Sequence, residues 1–196
     1  MQNKKYIGIT VAIIALASII IGIRVFLLTP PVPPVPNNQN NPASDWITID
    51  LASTSSRIQM PPPQHFGQVG EDQNQEPIYQ DRYVAENPSS TFYYAFTTVY
   101  PKPISIKDIP ATLNEMLKNM VGRDTNITIR TSKLGTFASL PALEFEIANS
   151  ADNATYRGRI FYTKSTLYQI YISHPEKDNR TDEYQRFFNS FQLTAP

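Results

Sequence analysis

The chain has 196 residues, 17 Lys and Arg against 17 Asp and Glu, and no cysteine. A net charge of zero with no basic run longer than two residues lacks the electrostatic footprint of nucleic-acid binding. Without cysteine there are no disulfides, thiol nucleophiles or thiolate metal sites.

In chain order the first feature is an apolar run, Tyr6 to Leu28, preceded by Lys4 and Lys5. As a helix it would span roughly 35 Å, enough to cross a hydrocarbon core of about 30 Å. Its one charge, Arg24, lies near the far end, where a long stem lets the guanidinium reach the headgroups. Lys4 and Lys5 outweigh Arg24, so the positive-inside bias puts residues 1–5 in the cytoplasm and the bulk of the chain outside. A cleaved signal fits less well, because apolar sequence continues past the A-x-A triplet Ala15-Leu16-Ala17. A lipoprotein anchor needs a cysteine. A pilin-like start needs Glu five residues after Gly8, where this chain has Ile13. The expectation is an uncleaved, single-pass anchor over residues 6–28 in the cell (inner or cytoplasmic) membrane.

Residues 29–44 read TPPVPPVPNNQNNPAS. The prolines fix φ and remove donors, which favours polyproline II, and the Asn/Gln part is polar. Such a linker reaches at most roughly 50 Å. It reads as a spacer that carries an extracytoplasmic domain over residues 45–196. All 17 acidic residues lie beyond Pro42, against 14 Lys and Arg.

Within the domain, Trp46–Asp50 alternates as a strand, and Arg57–Met60 is a second, stopped by Pro61-Pro62-Pro63. Glu71–Glu76 is a polar loop. Pro77–Ala85 and Thr91–Val99 are strands joined by a turn at Asn87–Ser90, with Phe92, Tyr94, Phe96 and Thr98 on one face of the second. A helix follows. Asp108 is its N-cap, Pro110 lies in its first turn, Leu113, Met116, Leu117 and Met120 form its apolar stripe, and Gly122 closes it. Four strands come next: Asn126–Lys133, Ala142–Ala148, Tyr156–Thr163 and Leu167–Ser173. The last helix runs from Asp182 to Phe191, with Asp182 and Gln185 as a capping pair and Tyr184, Phe187, Phe188 and Phe191 as a core stripe. Helices too few to alternate with strands predict an α+β fold: a largely antiparallel sheet with two helices packed on it, preceded by one transmembrane helix.

This layout resembles the PsbP/Mog1-like α/β/α sandwich superfamily. The resemblance rests on the opening strand with Trp46 and the short strand ending Met60-Pro61-Pro62-Pro63. It rests also on the tail: Arg157–Tyr162, Leu167–Ile172 and a closing helix with Phe187-Phe188-Asn189-Ser190-Phe191. It implies a non-enzymatic binding or assembly module, and it transfers no ligand-binding residue.

The most concentrated polar set is Glu144 and Glu146 with Arg157 and Arg159. Each pair is spaced i, i+2, so each lies on one face of its strand. A turn at Ala151-Asp152 would set Glu144 opposite Arg159, Glu146 opposite Arg157, and Phe145 over Gly158. This predicts a cross-strand ion ladder. The functional alternative is a tethered hydrolase using Glu144 or Glu146, but neighbouring guanidinium groups favour the charged carboxylate, which suits an acid catalyst poorly. The only histidines, His65 and His174, would need Glu176 or Asp178 beside them to hold a metal. Neither a Gly-x-Ser-x-Gly elbow nor a phosphate loop occurs. The expectation is no cofactor, no metal, and a membrane or envelope protein as partner. Subunits of a secretion or pilus-type assembly form the remaining alternative.

Overall fold

The computed structural model describes residues 46–52, 54–71, 75–103, 108–122 and 124–194. The proposed anchor and spacer lie outside these residues.

Two meanders build the main sheet. The first comprises β3 (Gln64–Glu71), β4 (Pro77–Glu86) and β5 (Phe92–Val99). Helix α1 (Ile109–Val121) then carries the chain to the far edge. The second meander, β6 (Ile127–Phe137), β7 (Leu140–Asn149), β8 (Ala154–Tyr162) and β9 (Thr166–Pro175), returns until β9 pairs with β5. The result is a seven-stranded sheet in the order β3-β4-β5-β9-β8-β7-β6 with every neighbour antiparallel. A smaller sheet joins β1 (Ile47–Leu51), β2 (Ser56–Met60) and β10 (Gln192–Leu193), the last directly after α2 (Thr181–Asn189).

The sheet is covered on both faces, and the apolar residues divide accordingly. On one face α1 buries Leu113, Met116 and Leu117 against Leu143, Phe145, Ile147 and Ile160. Full burial of side chains this size stabilises by about 1.5–3 kcal/mol each. On the other face α2 and the small sheet pack Tyr184, Phe187, Phe188, Leu51, Ile58 and Met60 onto Tyr83, Tyr93, Tyr168, Ile170 and Ile172. Central strand β9 is buried from Thr166 to His174, which is why Thr166–Pro175 carries apolar residues on both faces. The α+β architecture with two helices is as the sequence predicts.

The differences are local. No element is predicted over residues 64–70, and Glu71 is placed in a loop, yet Gln64–Glu71 forms an eight-residue strand, so five strands rather than four precede α1. Its sequence, QHFGQVGE, has two glycines and too few apolar residues to show alternation. β6 and β7 run longer than their apolar cores, because antiparallel pairing extends them to a tight turn at Ala138-Ser139, both at positive φ. Asp108 caps α1 as expected, its Oδ1 accepting from the Ala111 amide at 3.0 Å. Gly122 has φ 64° but ψ −139°, a region open essentially to glycine alone and not the left-handed helical well. At α2 the capping pair fails. Arg180 is the N-cap, Asn179 Oδ1 accepts from the Thr181 amide at 3.1 Å, and Asp182 lies inside the first turn. There its charge still complements the helix dipole. The helix ends at Asn189, because Gln192–Leu193 leaves to pair with β2.

Candidate functional site

The polar ladder forms in the expected register, with Glu144 opposite Arg159, Phe145 opposite Gly158 and Glu146 opposite Arg157. The connecting turn is longer than two residues, running over 150–153, but it keeps the same parity. Asn149 shapes it, accepting from the Ala151 amide at 3.0 Å and donating to Asp152 at 2.6 Å. Arg159 meets Glu144 at 3.2 Å and Arg157 meets Glu146 at 3.5 Å. Arg130 adds a third guanidinium, 3.8 Å from Glu146, and also pairs with Glu176.

The arginines do more than balance charge. The Arg157 guanidinium lies 4.2 Å from the Tyr184 ring centroid, and that of Arg159 lies 4.5 Å from Phe137 and 4.8 Å from Phe188. They form a cationic floor beneath the aromatic face of α2. Such contacts contribute roughly 0.5–2 kcal/mol each, depending on desolvation. Burial raises the Tyr184 phenol above its ordinary pKa, and Arg159 beside it offsets part of that rise. Chemically the cluster positions a helix. Both carboxylates are engaged by guanidinium groups, and the aromatic helix covers the arginines.

The two histidines sit on β3 and β9, strands separated by β4 and β5. His65 Nε2 lies 2.8 Å from Asp81 Oδ1, and its ring stacks on Tyr83 at 4.4 Å. His174 is buried, with Nδ1 2.9 Å from the Pro175 carbonyl. Of the acids considered beside it, Glu176 pairs with Arg130 and Asp178 with Arg180. Among the described residues no group of three or more His, Asp and Glu is placed to hold a metal ion.

A surface the sequence did not reveal is the β3–β4 hairpin. Phe66, Val69 and Tyr79 are three of the five large apolar side chains exposed among the described residues, Val69 at 68%. Val69 stands opposite Tyr79, and Phe66 opposite Arg82, so one face of the hairpin carries the Val69–Tyr79 pair and the other carries Phe66. Only Gly70 of the whole strand is even partly buried. An open hollow at the tip is lined by Val69, Gly70, Glu71, Gln75 and Pro77. The available signal was positional: a short segment between a triple proline and a polar loop, directly ahead of a strong strand.

No protein-family model matches the chain, and no curated protein matches it. What its surfaces can do rests on their own chemistry. Among the described residues no helix is long and apolar enough to cross a membrane.

Proposed function

We propose that this chain is a single-pass, membrane-anchored binding or assembly module of the PsbP/Mog1-like type, its domain held outside the cytoplasm and non-catalytic. The observation that carries the reading is the apolar run Tyr6–Leu28 followed at once by the proline-rich spacer. Together they confine residues 45–196 to a shell within roughly 50 Å of the bilayer. The domain supports the reading in two ways. A helix packs on each face of its antiparallel sheet, as the PsbP/Mog1-like resemblance leads one to expect. Among the described residues, three of the five exposed large apolar side chains lie on one edge hairpin, which suits protein contact. A tethered hydrolase draws no support from Glu144 and Glu146, whose carboxylates are bound by Arg159 and Arg157.

The full chain is expected to stay with membranes through alkaline carbonate washing and to be released when Tyr6–Leu28 is deleted. Protease added outside intact spheroplasts should digest the domain. Crosslinking followed by affinity purification should recover a fixed membrane or envelope protein. A chain washed off by carbonate, or a domain protected until lysis, overturns the reading. Replacing Tyr6–Leu28 with an unrelated anchor separates it from a structural subunit of a secretion or pilus-type machine. The binding module tolerates the exchange, whereas a subunit that packs through its anchor does not.

A further inference from the structure

The two edges of the seven-stranded sheet are built differently. An edge strand offers a row of unpaired amides and carbonyls, and sheets usually guard it with lysine, proline, bulges or charge. Edge β6 carries such guards: the ladder shifts register between Ile129 and Thr131, leaving Arg130 as a bulge, and Lys133 lies exposed beyond it. Edge β3 lacks lysine, proline and a bulge, and its one acidic residue, Glu71, stands at its very end. It pairs with β4 over all eight residues without a register shift, has no lysine, arginine or proline, and no described strand lies on its outer side.

We infer that β3 pairs edge to edge with β3 of a second copy of this chain, forming one continuous antiparallel sheet across a two-fold axis. An axis normal to the sheet keeps each face on its own side, so residues of the same parity must oppose one another. Centred on Gln68, the register sets His65 opposite Glu71, Phe66 opposite Gly70, and Gly67 opposite Val69, each twice. A polar pair, the His65 imidazole facing the Glu71 carboxylate, therefore closes the ladder at both ends. The Phe66 ring covers a bare glycine, as Phe145 covers Gly158 within the domain. Glutamine side chains meet at the axis, next to Gln80, to which Gln68 already donates. A single sequence thus supplies both halves of a complementary pair, which argues for a second copy over an unrelated strand.

The same axis fits a tethered protein. Trp46, where the described domain begins, packs on Tyr93 and Phe187, on the α2 side of the sheet. A two-fold normal to the sheet brings both copies' Trp46 to that one side, so both anchors can enter the same bilayer. This point alone rests on the anchor reading; the strand pairing does not.

The natural absence of cysteine permits a direct test in the full chain, in detergent and in native membranes. Gln68→Cys should form a disulfide-linked homodimer under mild oxidation at roughly ten times or more the rate of Thr136→Cys on β6, because opposed antiparallel residues fall within bridging distance. Phe66→Cys mixed with Gly70→Cys should crosslink more than either alone, which reports the register independently of the Gln68 variant. If neither pairing exceeds the Thr136→Cys control, the inference is wrong. It is equally wrong if Gln68→Cys bonds only to a cysteine of another protein. Because the detergent arm needs no membrane, a positive result there stands even if the anchor reading fails.

Discussion

Gly158 shows how tightly the sheet and its aromatic cover are fitted. A Cβ there would lie 2.4 Å from Tyr171 Cβ, 2.6 Å from Phe145 Cζ and 2.8 Å from the Ile170 carbonyl oxygen. The oxygen belongs to a central strand and cannot retreat without breaking the ladder. Gly158→Ala should therefore cost about 3 kcal/mol, the upper end of ordinary overpacking, read as a drop in the urea midpoint with unchanged slope. An unchanged midpoint would mean the Phe145 ring is not seated over the backbone. The tyrosines make a second residue-scale prediction. Burial raises the phenol pKa of Tyr93, Tyr94, Tyr171 and Tyr184 above the ordinary value, and for Tyr93 the Glu183 carboxylate it donates to raises it further. These phenols keep their protons in the folded state when the unfolded chain has lost them. Their contribution is complete below about pH 10 and is lost as pH rises through the folded values, by up to about 1.4 kcal/mol per pH unit for each phenol. Denaturation midpoints taken from neutral to strongly alkaline pH should fall only past that point. Phenolate absorbance from these four should appear together with unfolding; its full appearance in the folded state would refute the assignment.

Among the elements, α2 is held at both ends by side chains, which compensates for an N-cap residue, Arg180, whose own side chain makes no capping bond. At its beginning, Glu183 accepts from Tyr93 and from Asn87 at 3.0 Å, and Arg180 joins Glu183 at 3.3 Å and Asp178 at 2.8 Å. The network ties the helix to the β4–β5 turn. At its end, the Ser190 hydroxyl accepts from the Gln59 amide at 2.9 Å and donates to the Phe187 carbonyl at 2.7 Å, linking the helix to β2. Ser190→Ala should cost roughly 1 kcal/mol, a typical net hydrogen-bond contribution, and speed amide exchange at Gln59. Loss of stability with Gln59 exchange unchanged would place the effect elsewhere. At α1, Asp108→Ala removes the acceptor for the Ala111 amide and should cost about 0.5–2 kcal/mol, whereas Asp108→Asn should cost far less. Equal losses from the two would show that charge, and not capping geometry, was the larger effect.

Across the whole molecule, the small sheet is not a separate unit. Leu51, Ile58 and Met60 belong to the same buried cluster as Tyr83, Ile170 and Phe187. The Ala52 amide donates to the Tyr83 hydroxyl at 2.7 Å, and the Thr194 amide to the Ser55 carbonyl at 2.9 Å. Trp46, the only tryptophan, reports on this junction through its contacts with Tyr93 and Phe187. Its fluorescence and the far-ultraviolet signal of the main sheet should therefore lose their native values at one denaturant concentration. Separated midpoints would show that the small sheet and α2 melt independently.

Read alone, the sequence determined the elements whose apolar period is strong: the two helices, β5, and the β7–β9 meander. It also determined the register of Glu144 and Glu146 against Arg157 and Arg159, because strand parity is fixed once the turn is placed. Periodicity is local, so nothing beyond neighbouring residues was needed. Tertiary structure alone decided three things. β3 became a strand because β4 offered it eight partners, although its glycines and glutamines carry no pattern of their own. Arg157 and Arg159 became the floor under α2 because the closing helix returns over that face, a contact between residues far apart in the chain. The join of β5 to β9, which makes two meanders one sheet, depends on which edge α1 delivers the chain to. Each is a pairing between distant segments, and a linear pattern holds no information about which distant segment will supply the missing hydrogen bonds.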